Sequence, residues 1–231
     1  MSKAFTLDDI AFLTSDKAEK LLQKLTTEDL SDRNLINLIP KLRGTYSAEQ
    51  TSAAIETVKL RRKALDKFGD DAAKMLFTQD ALEQASDPLI RKYRSDKIAH
   101  MDENTYPITS DEQILDAGCG IGSDAIALSR NGLTVIGYDL DATRITMAQY
   151  NAVRLNVAAR FEMLDITQHR LDARVIFFDP ARRDEKGNRI YNPEKYMPPL
   201  STIHQWDELV QIVIKVAPGI DYLTLPEIGY S

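Results

Sequence analysis

A short apolar run, Ile114-Leu115, delivers an acid, Asp116, into Ala117-Gly118-Cys119-Gly120-Ile121-Gly122, a loop with glycine at every second position. Glycines at that spacing remove the Cβ atoms that would hold a ligand away, so backbone N–H groups can close on it. A helix-like stretch follows, Ser123 to Arg130. Strand, tight loop and helix in that order is how an α/β nucleotide site opens. A dinucleotide fingerprint, G-x-G-x-x-G, would require glycine at position 123, where this chain has Ser123. The spacing here is D-x-G-x-G-x-G, with its acid before the first glycine.

Three more apolar runs behave in the same way. Thr134-Val135-Ile136-Gly137-Tyr138 predicts a buried strand ending at Asp139, Arg160 to Leu164 one ending at Asp165, and Val175 to Phe178 one ending at Asp179. Gly118 and Asp139 lie about twenty residues apart, the spacing at which an acid meets a ribose diol in such folds. Between the strands, Asp141 to Leu155 is helical by pattern, with Ile145, Ala148, Ala152 and Leu155 on one face. Each acid also has a plainer use. Asp139 could cap the helix near Asp141, Asp165 could open a turn at Ile166-Thr167, and Asp179-Pro180 is a frequent turn opener. What favours function is that four strands in succession end in an acid, because ligands of open α/β sheets bind beyond the carboxyl ends of the strands.

The loop resembles motif I of the class I, Rossmann-like S-adenosylmethionine-dependent methyltransferases, and Asp179-Pro180-Ala181-Arg182 resembles their motif IV, (D/N/S)-P-P-(Y/F/W), departing from it at the last two positions. The resemblance implies S-adenosyl-L-methionine as cofactor, held by Asp116, Ala117, Gly118, Cys119, Gly120, Gly122, Asp139, Leu140, Asp165, Ile166 and Asp179. Asp165 would lie near the adenine amino group, and Asp179 and Pro180 would face the substrate as the catalytic pair. Arg182 and Arg183 are the candidate substrate contacts. The helical N-terminal segment, Met75-Leu76-Phe77-Thr78 with the residues after it, and F-F-D-P-A-R-R are together similar to bacterial methyltransferases carrying a THUMP-like C-terminal segment. Those are related in their core to trimethylguanosine synthase, an RNA cap guanine-N2 methyltransferase. That likeness implies RNA as partner and an approach of the Phe77–Thr78 region to the cofactor. Ala181-Arg182 does not reproduce the aromatic that cap enzymes carry, which shifts the expectation to another guanine, another RNA base or another amine. A small-molecule N- or O-methyltransferase and a non-catalytic cofactor-binding or assembly module remain as alternatives.

The first hundred residues predict an all-α domain: helix starts at Thr6, Asp16 and Ser31, with Pro40 expected to bend or end the third. Ser47-Ala48-Glu49-Gln50 is a capping box for a long helix to Phe68, closed by Gly69. Two shorter helices follow over Gln79–Ala85 and Pro88–Ala99. The expected organisation is therefore a helical domain over 1–101, a linker over 102–110, and a methyltransferase core over 111–231. Gln211 to Val216 reads as a fifth strand and Pro218-Gly219 as a turn, after which few residues remain. A class I sheet normally has seven strands, so the sheet is expected to be incomplete at its C-terminal edge. An exposed fifth strand would invite pairing into a homodimer.

Composition narrows the class. No apolar run approaches the ~20 residues of a membrane span, and no cationic-then-apolar leader opens the chain, so a cytoplasmic protein is expected. The one cysteine, Cys119, cannot pair within the chain and suits a reducing compartment. Because it sits in the glycine loop, it also argues against 5-methylpyrimidine chemistry, which needs a thiol beside the substrate. His100, His169 and His204 lack metal-ligand spacing, so no metal is expected. Residues 1–100 hold 17 Lys/Arg against 16 Asp/Glu, and residues 101–231 hold 12 against 19, a balance that does not announce a nucleic-acid binder. Three local basic stretches do exist: Lys59, Arg61, Arg62, Lys63 and Lys67; Arg91, Lys92, Arg94 and Lys97; and Arg182, Arg183, Lys186 and Arg189. The first is read either as a solvated helix face or as an RNA contact. The third lies where a substrate phosphate could pass, though Asp184 and Glu185 offset it.

Overall fold

The computed structural model describes residues 4–100, 112–183, 188–206, 211–216 and 219–220. The expected linker, Asp184 to Lys186 and the expected turn at Pro218 lie outside those residues. Six helices come first: α1 (Leu7–Leu13), α2 (Asp16–Thr26), α3 (Asp32–Arg43), α4 (Ala48–Phe68), α5 (Gln79–Gln84) and α6 (Pro88–Ala99). Their starts follow capping chemistry. Thr6 with Asp9 and Ser47 with Gln50 form reciprocal capping boxes, and Asp87 caps α6 with Pro88 in its first turn. Pro40 does not end α3, which runs on to Arg43. Pro40 and Ile36, whose carbonyl loses its amide partner, both lie on the exposed face, where water can replace the missing bond.

The remainder alternates strand and helix: β1 (Gln113–Ala117), α7 (Ser123–Arg130), β2 (Thr134–Asp139), α8 (Ala142–Arg154), β3 (Arg160–Met163), β4 (Val175–Phe178) and β5 (Gln211–Ile214). All pairings are parallel, and the spatial order is β3-β2-β1-β4-β5. The order reverses between β1 and β4, and at such a switch point the loops leave a crevice beyond the strand ends. β5 stands at one edge, half-buried along its length. Successive side chains point to opposite faces. Ile114, Val175 and Phe177 pack on one side with α6, α7 and α8, while Leu115, Ile176 and Phe178 pack on the other with Leu200, Ile203 and Trp206. The second side is covered in part by a short 3-10 turn over 200–205, with the Trp206 ring edge-on to Phe178 at 5.3 Å.

The helical region shares its core with the sheet region. The cluster that joins α1 to α5 also takes in Ile121 of the glycine loop and Met147 of α8. One buried polar side chain fastens them. Asn151 of α8 accepts from Leu76 N at 2.7 Å and donates to the carbonyls of Leu76 and Ile121, each at 3.1 Å.

The first basic stretch is partly a solvated face, with Arg62 and Lys63 exposed, but three of its cations are tied to backbone carbonyls. Arg62 donates to the carbonyls of Leu25, Thr26 and Glu28 at the end of α2, and Lys67 to those of Leu82, Glu83 and Ala85 at the end of α5. Arg61 reaches the Met75 carbonyl. Helix C-termini leave carbonyls without amide partners, and these cations satisfy them. Of the second stretch, Arg91 is buried over the Phe68 ring and bonded to the Lys67 carbonyl, and Arg94 is turned into the molecule. No helix among the described residues is long and apolar enough to cross a membrane.

Candidate cofactor and substrate site

A cavity of about 940 Å³ lies over the carboxyl ends of the strands, and all four acids, Asp116, Asp139, Asp165 and Asp179, line it. Read across the sheet they run Asp165, Asp139, Asp116, Asp179, following β3, β2, β1 and β4. Gly118, Cys119, Gly120, Leu140, Ile166 and Pro180 line it as well. Ala117 and Gly122, two of the residues expected around the cofactor, do not. Ala117 is wholly buried among the apolar residues of the far face. Gly122 has φ +84°, and a Cβ there would sit 2.8 Å from the Phe161 ring and 3.1 Å from Ala148 Cβ. Its missing side chain makes room for packing, not for a ligand.

The other two loop glycines differ. A Cβ on Gly118, at φ +92°, would press on the Asp179 carbonyl at 3.3 Å, so glycine here lets β1 and β4 converge beneath the site. A Cβ on Gly120, at φ +56°, would meet nothing within 4 Å. Gly120 donates its N–H to Asp139 Oδ2 at 2.9 Å, and Asp139 Oδ1 accepts from Asp141 N at 2.9 Å. Asp139 thus braces the loop from the end of β2. The helix-capping alternative falls to Asp141, whose side chain accepts from Thr143 N and Arg144 N.

Asp165 accepts from both Thr167 N and Thr167 Oγ1, and those bonds hold its carboxyl below the usual value. It therefore forms the turn that the plainer reading foresaw, and it lines the cavity too. Cys119 is buried, and burial pushes its thiol well up, with Asp116 and Asp139 adding to the shift. Such a thiol is not a nucleophile.

Asp116 is 1 % exposed, within β1 and not at its end, and its Oδ2 has no hydrogen-bond partner among the described residues. Burial first, then Asp124 and Asp179, push its carboxyl well above the usual range. A carboxyl raised in the folded state contributes stability below its unfolded pKa and loses it as pH rises through the folded one. Asp116→Asn is therefore expected to raise the ligand-free melting temperature at pH 7 while weakening cofactor binding. Thermal unfolding with and without S-adenosylhomocysteine reads both, and a lowered melting temperature would contradict the electrostatic account.

Lys215, which the motifs did not single out, and Arg182, expected as a substrate contact, complete the far end. Lys215, directly after β5, places Nζ 2.5 Å from Asp179 Oδ2. Arg182 donates to the Val216 carbonyl at 2.9 Å and stands 3.9 Å from Asp179 Oδ1. Burial raises the Asp179 carboxyl, and Lys215 opposes that shift. Arg182 is thus part of the wall, whereas Arg183 and Arg189, exposed and joined by a backbone bridge, stand at the mouth. The Phe77–Thr78 segment does not reach the cavity. Phe77 is packed edge-on against Phe68 at 5.0 Å, and Ala81, Glu83, Gln84 and Ala85 line the cavity instead. Lys215 could have been found from the rule that functional residues follow strand ends. No group of metal-ligating side chains occurs among the described residues.

This geometry fits a nucleoside cofactor: an open glycine cradle, an acid at the end of the neighbouring strand, and a buried acceptor without a donor. Residues 114–179 match the family described as "Methyltransferase domain", and residues 6–64 match a "Domain of unknown function (DUF8688)". The fold and the site point to one class: over residues 114–179 the chain is similar to a methyltransferase domain, carried on a parallel sheet of the class I, Rossmann-like kind.

The chain is 29% identical over 182 residues, 77% of its length, to an uncharacterized S-adenosylmethionine-dependent methyltransferase of Mycobacterium tuberculosis, with the same figures in strains ATCC 25618 / H37Rv and CDC 1551 / Oshkosh. It spans about half the length of those relatives, 48%. A shorter stretch, 63 residues or 26% of the chain, is 36% identical to 14% of a 23S rRNA (uracil(1939)-C(5))-methyltransferase of Acidithiobacillus ferrooxidans. Among solved structures, a candidate methyltransferase from Porphyromonas gingivalis W83 superposes with TM-score 0.53 at 20% identity, covering 78% of this chain and 43% of that one. At that identity it attests the fold.

Proposed function

We propose that this chain binds S-adenosylmethionine over β1 to β4 and methylates an exocyclic amine of an RNA base at Asp179-Pro180. When bound, the cofactor supplies a methyl group already activated by its positive sulfur. The chain's own part is alignment and charge. Asp139 would hold the ribose hydroxyls, Leu140 and Ile166 would flank the base, and Asp116 would face the amino-acid end.

The observation that carries the substrate reading is a pair of open acceptors. Asp179 Oδ2 is taken by Lys215, but neither Asp179 Oδ1 nor the Pro180 carbonyl accepts a hydrogen bond among the described residues. Two acceptors side by side suit an amine with two N–H bonds, orient its lone pair, and stabilise the positive charge that develops on nitrogen. A hydroxyl would satisfy only one. Arg183 and Arg189, exposed at the mouth of the cavity, favour an anionic substrate such as RNA. Cys119, buried in the glycine loop, is not itself placed to serve as the thiol of a pyrimidine C5 reaction.

The experiment is transfer of labelled methyl into total cellular RNA compared with a small-molecule extract. Label in an RNA base amine supports this reading. Label only in small molecules moves the function to that class, and label in neither leaves a binding module. Asp139→Ala is expected to weaken S-adenosylhomocysteine binding by roughly tenfold or more, since it removes both a ribose acceptor and the brace on Gly120. Unchanged affinity by calorimetry would refute that role.

A further inference from the structure

We infer that Asp124, held by Arg94 of α6, is a second binding carboxylate for the cationic amino-acid end of the cofactor, so that the helical region completes the cofactor site. The inference rests on reading the cavity as a nucleoside cofactor site. Asp124 is the second residue of α7 and lines the cavity beside Asp116, where β1 gives way to the glycine loop. Arg94 pairs with Asp124 Oδ1, and both side chains are almost buried, 14 % and 13 % exposed. The guanidinium also stands over the Phe177 ring at 4.7 Å and donates to Ser86 Oγ at 3.2 Å. A planar fork held on three sides is fixed before any ligand arrives.

The charge count at this end is what calls for a ligand. Asp139 and Asp165 are occupied by backbone N–H groups, and Asp179 is matched by Lys215. Asp124 has Arg94 as its ion-pair partner, with the Arg91 charge also acting on it, whereas Asp116, buried beside it, makes no ion pair among the described residues. Asp116 Oδ2 has no donor, and Asp124 Oδ2 accepts no hydrogen bond among the described residues. A compact ammonium group, with three donors and one positive charge, matches both deficits. Without Arg94 the two carboxylates would repel one another in a partly buried setting, and Asp124 would lose the bond that aims it. Arg94 is accordingly a positioning residue, and Asp124 the one that touches the ligand.

Two nucleosides separate this role from a merely structural one. S-adenosylhomocysteine carries the ammonium group, whereas 5′-methylthioadenosine keeps the nucleoside and lacks the amino-acid end. Calorimetry on the whole chain is expected to show Asp124→Asn losing affinity for the first by roughly tenfold or more, with the second held within about twofold. Arg94→Met should show the same selectivity, partly restored by Arg94→Lys. Equal losses for both nucleosides, or no loss for S-adenosylhomocysteine in a folded variant, would overturn the inference. A wild-type chain that binds neither nucleoside would instead bring down the cofactor reading itself, and this inference with it.

Discussion

Replacing Asp179 by alanine is expected to cut methyl transfer by about a hundredfold or more, while affinity for S-adenosylhomocysteine changes by less than about threefold. The asymmetry follows from where the side chain lies. Asp179 sits beyond β4 at the substrate wall and braces no part of the glycine loop, whose contact with it is through the Asp179 carbonyl, which alanine keeps. What alanine removes is the open Oδ1 acceptor and the counter-charge of Lys215, leaving a cation where positive charge would develop on the amine. The pH profile carries a second mark of the same group. Burial raises the Asp179 carboxyl, so activity should begin to fall on the acid side at a pH above that of an ordinary aspartate. Lys215→Met, which removes the opposing cation, should move that limb further up. Full turnover in Asp179→Ala, or a limb that moves down in Lys215→Met, would remove Asp179 from the proposed role.

The second large effect concerns stability. Asn151→Ala is expected to cost about 3 kcal/mol, because it strands a backbone donor and two backbone carbonyls in an apolar interior. Asn151 is wholly buried, between the Met75–Phe77 segment and the glycine loop. No water reaches these groups to replace the lost bonds, and a methyl group cannot. The loss is read from urea unfolding, where a shift under about 1 kcal/mol would show that the groups find other partners. Because one of the freed carbonyls belongs to Ile121, the variant should also bind S-adenosylhomocysteine less tightly than its stability alone explains. Calorimetry well below the unfolding midpoint separates the two effects.

Much of the architecture was legible from local chemistry. The capping boxes at Thr6 and Ser47, the Asp87-Pro88 start and the glycine at 69 act within a few residues of themselves, so they mark helix ends wherever the chain goes. The strand runs at 113–117, 134–139, 175–178 and 211–214 are mostly apolar because strands inside a parallel sheet are covered by other elements, whereas the edge strand at 160–163 buries only Phe161, and their order alternates with helices. The acids after them could be placed on one rim for the same reason. Charge was the least legible feature. A lysine or arginine in a run reads the same whether it meets water, a phosphate or a helix C-terminus. Arg62 and Lys67 meet carbonyls that lie 34 to 37 and 15 to 18 residues away in sequence.

From the order of its residues alone this chain is an α/β protein with a nucleotide-type glycine loop and an acid-rimmed functional edge, because spacing, period and turn chemistry are local properties. Only the folded molecule decided that Gly122 serves Phe161, that Lys215 occupies one oxygen of Asp179, that Asn151 stitches two distant segments, and that Arg94 points inward at Asp124. Each of those contacts joins residues far apart in sequence, where neither partner carries a mark of the other. They exist because packing brings the elements together, and the burial that follows makes every unmatched charge or amide costly enough to matter.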